Sequence, residues 1–244
     1  MSCRIQFLTT EDYFMSGNEF PEPIKYNLPN WFKNLSHDHN NKTIKGCMPF
    51  MDTLTCGYLL KLPQDVHIKH GFKNEEGKKY TYLKYALSDK PKIAEDNYLN
   101  NVHPEVHPET QFKGSSFSEQ NGGGILNKWI NPWIIKTPPG YSCLLIPPLN
   151  NKDDRFEIIS GIVDTDTYDR QINFPFILNS IKYPELDTII SKGTPIVQVI
   201  PFRRDQWKME VGVSKVNKVA TILKESFYLL RNYQKMFWRK KKWD

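Results

Sequence analysis

Three short apolar runs, at residues 158–163, 172–178 and 196–200, constrain the fold of this chain more than any other feature. Each is rich in β-branched residues and is bounded by Gly, Pro, Asn or Asp, which is the punctuation of strands. Between the first two lies an acidic turn, Asp164-Thr165-Asp166-Thr167-Tyr168-Asp169. Before the third lies Lys192-Gly193-Thr194-Pro195. Seventeen prolines and thirteen glycines extend this reading along the chain, since they favour many short strands and turns over long helices. The expected fold class is mainly β.

The segment Gly161-Ile162-Val163-Asp164-Thr165-Asp166-Thr167-Tyr168 resembles the motif G-V-I-D-x-D-Y of the trimeric dUTPases. Residues 173–179 followed by 192–200 resemble that family's V-x-L-x-N and K-x-G-D-R-I-A-Q-L-I. Thr137-Pro138-Pro139-Gly140-Tyr141 is similar to its L-P-P-G-Y-Y-G turn. Order and rough spacing agree over about residues 134–202. The resemblance implies a β-clip or distorted barrel core of the dUTPase and dCTP deaminase type. It also implies roles. Asp164 matches the carboxylate that positions water for attack on a phosphate chain, and Tyr168 lies near the tyrosine that stacks on deoxyribose. Asp166 and Gln198 join Tyr168 as ligand-binding candidates.

The pattern departs from the family at three places. The family's R-S-G or R-S-S element holds phosphates through charge-assisted hydrogen bonds. Here Ile146-Pro147-Pro148-Leu149-Asn150-Asn151 stands in its place, and the two prolines lack backbone donors. Thr167 is inserted in the acidic turn, and Asp169 replaces a glycine. Gly212 is the only glycine after Phe202, so the family's glycine-rich closing arm is missing. These departures argue against conventional dUTP hydrolysis, and no distinct motif supplies the base a deaminase needs. The alternative for the acidic turn is a polar turn whose side chains bond their own backbone.

Two functional readings follow. One is a divergent dUTPase-like protein that binds a nucleotide or another small ligand. The other is a viral structural or assembly protein using the fold as an oligomerisation scaffold. The Lys/Asn/Ile-rich composition is similar to that of uncharacterised bacteriophage proteins, and a homo-oligomer is expected in the second reading. No cofactor is indicated.

A chain of 244 residues can bury one large core or two small ones. Its 39% hydrophobic and 13% aromatic content argues for a folded protein. The formal charge of +6 permits an acidic partner. Cys3, Cys47, Cys56 and Cys143 form no C-x-x-C pair and read as reduced thiols. No signal peptide and no apolar run of membrane-spanning length is found, so a cytoplasmic protein, in the host cytoplasm or a virion if viral, is expected.

The chain divides into an N-terminal arm with a short helix (1–57), a β core (58–213) and a C-terminal amphipathic helix with a basic end (214–244). In the arm, Arg4 to Leu8 reads as a first strand and residues 20–31 as extended. One helical turn over 29–35 inserts Trp31 and Phe32 into the core, or presents them to a partner. Pro49 opens a second short helix that Gly57 closes. Strands are expected at 58–62, 66–70 and 79–87, with Val66 and Ile68 on one face and His67, Lys69 and His70 toward solvent or a pocket. Residues 115–124 read as a long loop, and Trp207 to Val213 as one more strand.

His37-Asp38-His39 invites a metal reading, but its setting is that of a polar loop. His103 and His107 each precede a proline, which disfavours the helical geometry of a zinc pair. No metal site is assigned. From Val216 the apolar period becomes helical, through Val219, Ile222, Leu223, Phe227, Leu230 and Phe237, predicting a helix over about 217–239. Its end carries Arg239, Lys240, Lys241 and Lys242, a solvated helix terminus or a contact for nucleic acid.

Overall fold

The computed structural model describes the chain except for residues 1–2, 11–18, 39, 78, 87–91, 96–105, 123 and 214–231. The described residues form fifteen strands and a few short helices. In chain order the strands are β1 (Gln6–Leu8), β2 (Glu22–Pro23), β3 (Tyr58–Lys61), β4 (Val66–Lys73) and β5 (Lys79–Tyr85). Then come β6 (Lys92–Glu95), β7 (Val106–His107), β8 (Leu126–Trp129), β9 (Ile134–Lys136) and β10 (Tyr141–Ile146). The last are β11 (Phe156–Ile158), β12 (Gly161–Val163), β13 (Phe174–Leu178), β14 (Leu186–Ile190) and β15 (Pro195–Arg203). The α-helices are α1 (Asn30–Asn34), α2 (Met48–Thr53), α3 (Ser116–Gln120) and α4 (Asn232–Met236).

All strand pairs are antiparallel. They make a five-stranded sheet β12-β10-β15-β3-β2, two four-stranded sheets β11-β13-β8-β7 and β14-β4-β5-β6, and the pair β1-β9. The protein is therefore mainly β, as the sequence predicts, with open sheets in place of a closed barrel among the described residues. The N-terminal arm is not separate from the core: β1 pairs with β9, and β2 extends the five-stranded sheet beside β3.

Side-chain alternation explains which face each strand turns inward. On β4, Val66, Ile68 and His70 are buried while His67 and Lys69 look out. On β15, Ile196 to Val199 are all buried, as in a strand covered on both faces. The core gathers on an aromatic cluster. Trp129 is fully buried, stacks on Phe176 at 4.1 Å and 8°, and meets the edge of Phe156 at 5.1 Å. Where β4 and β5 slip register after His70, Gly71 has φ +85, and a Cβ there would lie 2.0 Å from the Pro184 carbonyl oxygen. Only glycine fits this bulge.

His70 belongs to the inner face, contrary to the expectation from sequence. Its Nδ1 lies 2.7 Å from Thr81 Oγ1, and its Nε2 lies 3.0 Å from the Asn121 carbonyl oxygen and 2.8 Å from Ser180 Oγ. A carbonyl only accepts, so Nε2 carries the proton and Nδ1 accepts from the Thr81 hydroxyl. That tautomer cannot take a proton from Ser180, which removes the pair as base and nucleophile. Burial pushes the His70 pKa below its usual 6.5. As pH falls below 6.5 the unfolded chain protonates first, so stability is full above that pH and declines as pH drops toward the folded-state value. NMR titration is expected to show His70 neutral at pH 6.5, with the urea midpoint falling below it. A His70 signal titrating at or above 6.5 would contradict this.

Several expectations are corrected. Phe32 is buried, but its neighbour Trp31 is half exposed, packing edge-on to Phe32 and Phe50. Residues 24–27 form a 3-10 turn inside the stretch expected to be extended. The segment 115–124 contains α3, where a loop was expected. Residues 204–213 form no strand, where one was expected from Trp207 to Val213. Most of the stretch predicted as a C-terminal helix, with Val219, Ile222, Leu223, Phe227 and Leu230, lies outside the described residues. Within them α4 ends at Met236, and Phe237 is exposed. No described helix is long and apolar enough to cross a membrane.

Candidate functional site

The acidic turn sits at one end of the five-stranded sheet, where β12, β10 and β15 come side by side. Register places Val163 opposite Cys143, and Ser142 opposite Phe202. Asp164, Ser142 and Arg204 therefore emerge together. The neighbouring Pro-Pro-Gly turn is a type II turn: Tyr141 N–H donates to the Pro138 carbonyl (3.2 Å), and Gly140 takes φ +84 at the position that requires it.

Arg204 clamps this corner. Its guanidinium donates to Asp166 Oδ1 (2.8 Å) and Oδ2 (2.5 Å), a bidentate pair. It also reaches the Tyr141 carbonyl (3.1 Å) and Ser142 Oγ (3.0 Å), and lies 3.2 Å from Asp164 Oδ1. Gly140 N–H donates to Asp166 Oδ2 at 2.8 Å, and Ser142 Oγ–H donates to Asp164 Oδ1 at 2.6 Å. The Arg204 guanidinium, aided by the Gly140 N–H, holds the Asp166 carboxyl down at about 2. Asp166 is enclosed, with 6% of its side chain exposed, whereas Asp164 is 62% exposed.

Thr165 is fully buried beneath the turn, in contact with Thr137 Oγ1 (2.7 Å) and Cys143 Sγ (3.3 Å). Burial raises the Cys143 thiol to about 11, so it is no nucleophile. Thr167 and Tyr168 N–H groups both donate to the Asp164 carbonyl, which closes the turn. The Tyr168 ring is part exposed, and its carbonyl accepts from Lys136 Nζ at 2.8 Å.

The structure thus brings Asp164, Asp166 and Tyr168 together but not Gln198. Gln198 lies on β15 opposite Ile146, four residues along β10 from Ser142. Its amide is buried and fully used: Oε1 accepts from Leu149 N–H (2.9 Å), and Nε2 donates to the Thr53 (3.1 Å) and Cys56 (2.8 Å) carbonyls. Gln198 is a brace between α2, the Pro147-Pro148 corner and β15, with no atom left for a ligand.

Sequence reasoning missed Arg204, Ser142 and Gly140. The arginine and serine absent after the Pro-Pro-Gly turn have counterparts here, but these face the carboxylates and neutralise them. The signal available was Arg203-Arg204 directly after the third apolar run, although 38 residues separate Arg204 from Asp166.

No protein-family model matches this chain, and no curated protein is significantly similar to it.

Chemically, the corner can hold a charge but is poorly equipped to activate water. Asp166 is paired and ionised, and Asp164 has one oxygen committed to Ser142 and Arg204. No group of three or more His, Cys, Asp or Glu side chains among the described residues is placed to hold a metal ion. His37 Nδ1 accepts from Thr43 N–H inside its own loop, and His107 Nδ1 lies 2.5 Å from Gln111 Oε1. His39 and His103 lie outside the described residues.

What Arg204 does do is fix where the chain leaves the sheet. Its own N–H donates to the Gly140 carbonyl at 2.9 Å, and from Asp205 the chain runs on without regular secondary structure to Val213. Along it Trp207, Met209, Val211 and Val213 are 91%, 87%, 85% and 97% exposed. Apolar residues at alternate positions are the pattern of a strand with one buried face, yet nothing among the described residues covers them.

Proposed function

We propose that this chain is a non-hydrolytic β scaffold, a structural or assembly protein of viral type, which self-associates by exchanging the 205–213 segment between copies. The observation that carries this reading is the exposed alternation of Trp207, Met209, Val211 and Val213 on an arm rooted by the Arg204 clamp. Scattered exposed apolar side chains are ordinary, but four at alternate sequence positions are not. An extended apolar segment finds its backbone partners by adding to a sheet edge. The edge strand β12, with exposed Ile162, offers such an edge on a second copy. In this reading Asp164 and Asp166 are anchoring residues of the arm, and the resemblance to the dUTPases extends to the β framework without the hydrolytic step.

Sedimentation analysis of the purified chain is expected to show a stable oligomer at micromolar concentration. Trp207→Glu with Met209→Glu should convert it to monomer without lowering the melting temperature of the remaining β core. A wild-type monomer, or an oligomer indifferent to these changes, would refute the exchange. Pyrophosphate release from dUTP is not expected. Release that Asp164→Asn abolishes would restore the hydrolase reading.

A further inference from the structure

A second concave surface lies away from the acidic turn, between α2 and the last seven residues. This cleft of about 440 Å³ is floored by Met48 and Met51 and walled by the Trp238–Asp244 segment. The wall is built, not loose. Trp238 Nε1–H is shared between the two Asp52 carboxylate oxygens at 3.1 Å, and Lys241 Nζ donates to Asp52 as well. Lys25 Nζ pairs with Asp244 at 2.6 Å, and Tyr58 Oη–H donates to the Asp244 carbonyl at 3.3 Å. The Trp243 ring meets Tyr58 edge-on at 6.0 Å. The basic end expected to be solvated is therefore docked across the N-terminal arm.

The pairing leaves a particular remainder. Four lysines line the cleft against two aspartates, and both aspartates are already engaged by Lys25 and Lys241. Lys240 and Lys242 make no hydrogen bond and no ion pair within 4 Å with any described residue, though both act at longer range on the Asp244 carboxyl and help hold its pKa down. Beside them the cleft offers thioether and indole surface. A ligand that complements this surface has a flat apolar part and an anionic part. The volume falls within the range of small-ligand sites.

We propose that this cleft binds a nucleoside phosphate, free or within a single strand, with the base on the Met51–Trp243 side and the phosphate at Lys240 and Lys242. Aromatic and thioether surface takes a base of any identity, and lysine meets phosphate as a point charge. Asp52 acts through Trp238 and Lys241 as the positioning residue of the wall. The site is independent of the arm exchange proposed above.

Isothermal titration of the full chain tests it with three probes: a nucleoside triphosphate, an oligothymidylate and inorganic phosphate. The nucleoside triphosphate is expected to bind saturably and at least tenfold more tightly than inorganic phosphate. Lys240→Glu with Lys242→Glu should weaken it at least tenfold at unchanged melting temperature, and Lys240→Arg with Lys242→Arg should retain it. If the oligothymidylate binds more tightly still, its salt dependence should drop by about 1.4 in log–log slope in the Glu variant, two phosphates' worth for a single strand. That result identifies a strand as the source, and equal affinities identify a free nucleotide. Absence of saturable binding, binding unchanged in the Glu variant, or inorganic phosphate binding as tightly as the nucleotide each overturns the proposal.

Discussion

Trp129→Ala is expected to lower the unfolding free energy by about 3–5 kcal/mol, the usual range for emptying a large aromatic site in a core. Trp129 is fully buried at the meeting of β8, β11 and β13, stacked on Phe176 and flanked by Phe156. Phe176 and Phe156 both lose a contact face when the indole goes, and the surrounding strands are held in register by their ladders, so the gap closes only in part. Urea denaturation measures the effect. Trp31→Ala serves as the control, since Trp31 is half exposed and should cost far less. Equal losses at the two positions would show that the core does not centre on Trp129.

Gln198→Leu is expected to cost about 3–5 kcal/mol, although the two side chains are close in volume. The change strands three part-buried backbone groups, the Leu149 N–H and the Thr53 and Cys56 carbonyls; each costs about 1–3 kcal/mol when fully buried and unpaired, and partial access to water keeps the sum of the three in its lower half. Gln198→Glu keeps the acceptor for Leu149 but sets a carboxylate against two carbonyls, so it should not rescue. Thermal melts of the three proteins decide the matter. Were Gln198 a ligand residue, Gln198→Leu would keep its melting temperature and lose affinity for a ligand.

The strands were legible because their information is local. Apolar runs bounded by Gly, Pro and Asn mark β3, β4, β13 and β15 within a residue or a few. What was not legible depends on register. The alternation of Trp207 to Val213 reads as a strand from sequence, but all seven residues are exposed and outside any strand, because pairing needs a neighbour that propensity cannot supply. Trp31 and Phe32 are adjacent aromatics on one short helix, and only the packing of α1 against the rest decides which is buried. At the acidic turn, sequence found the carboxylates and could not see that the ends of β10 and β15 bring Ser142 and Arg204 onto them. Gln198 carries the sharpest lesson: a polar residue inside a buried strand is either a site or a brace, and its partners at Thr53 and Cys56 lie more than 140 residues away.

The docking of the C-terminal segment also sets an order of events during synthesis. Trp238 and Asp52 are 186 residues apart, and Lys25 and Asp244 are 219 apart. A growing chain can pair β3, β10 and β15 as soon as residue 203 has emerged. Asp52 and Lys25 meanwhile wait at the surface with water as their partner. The cleft closes only once residues 238–244 have emerged, after the sheets have had time to form. A nascent chain therefore carries its framework before it carries that cleft, and a chain cut before Trp238 would fold its sheets without the cleft's wall.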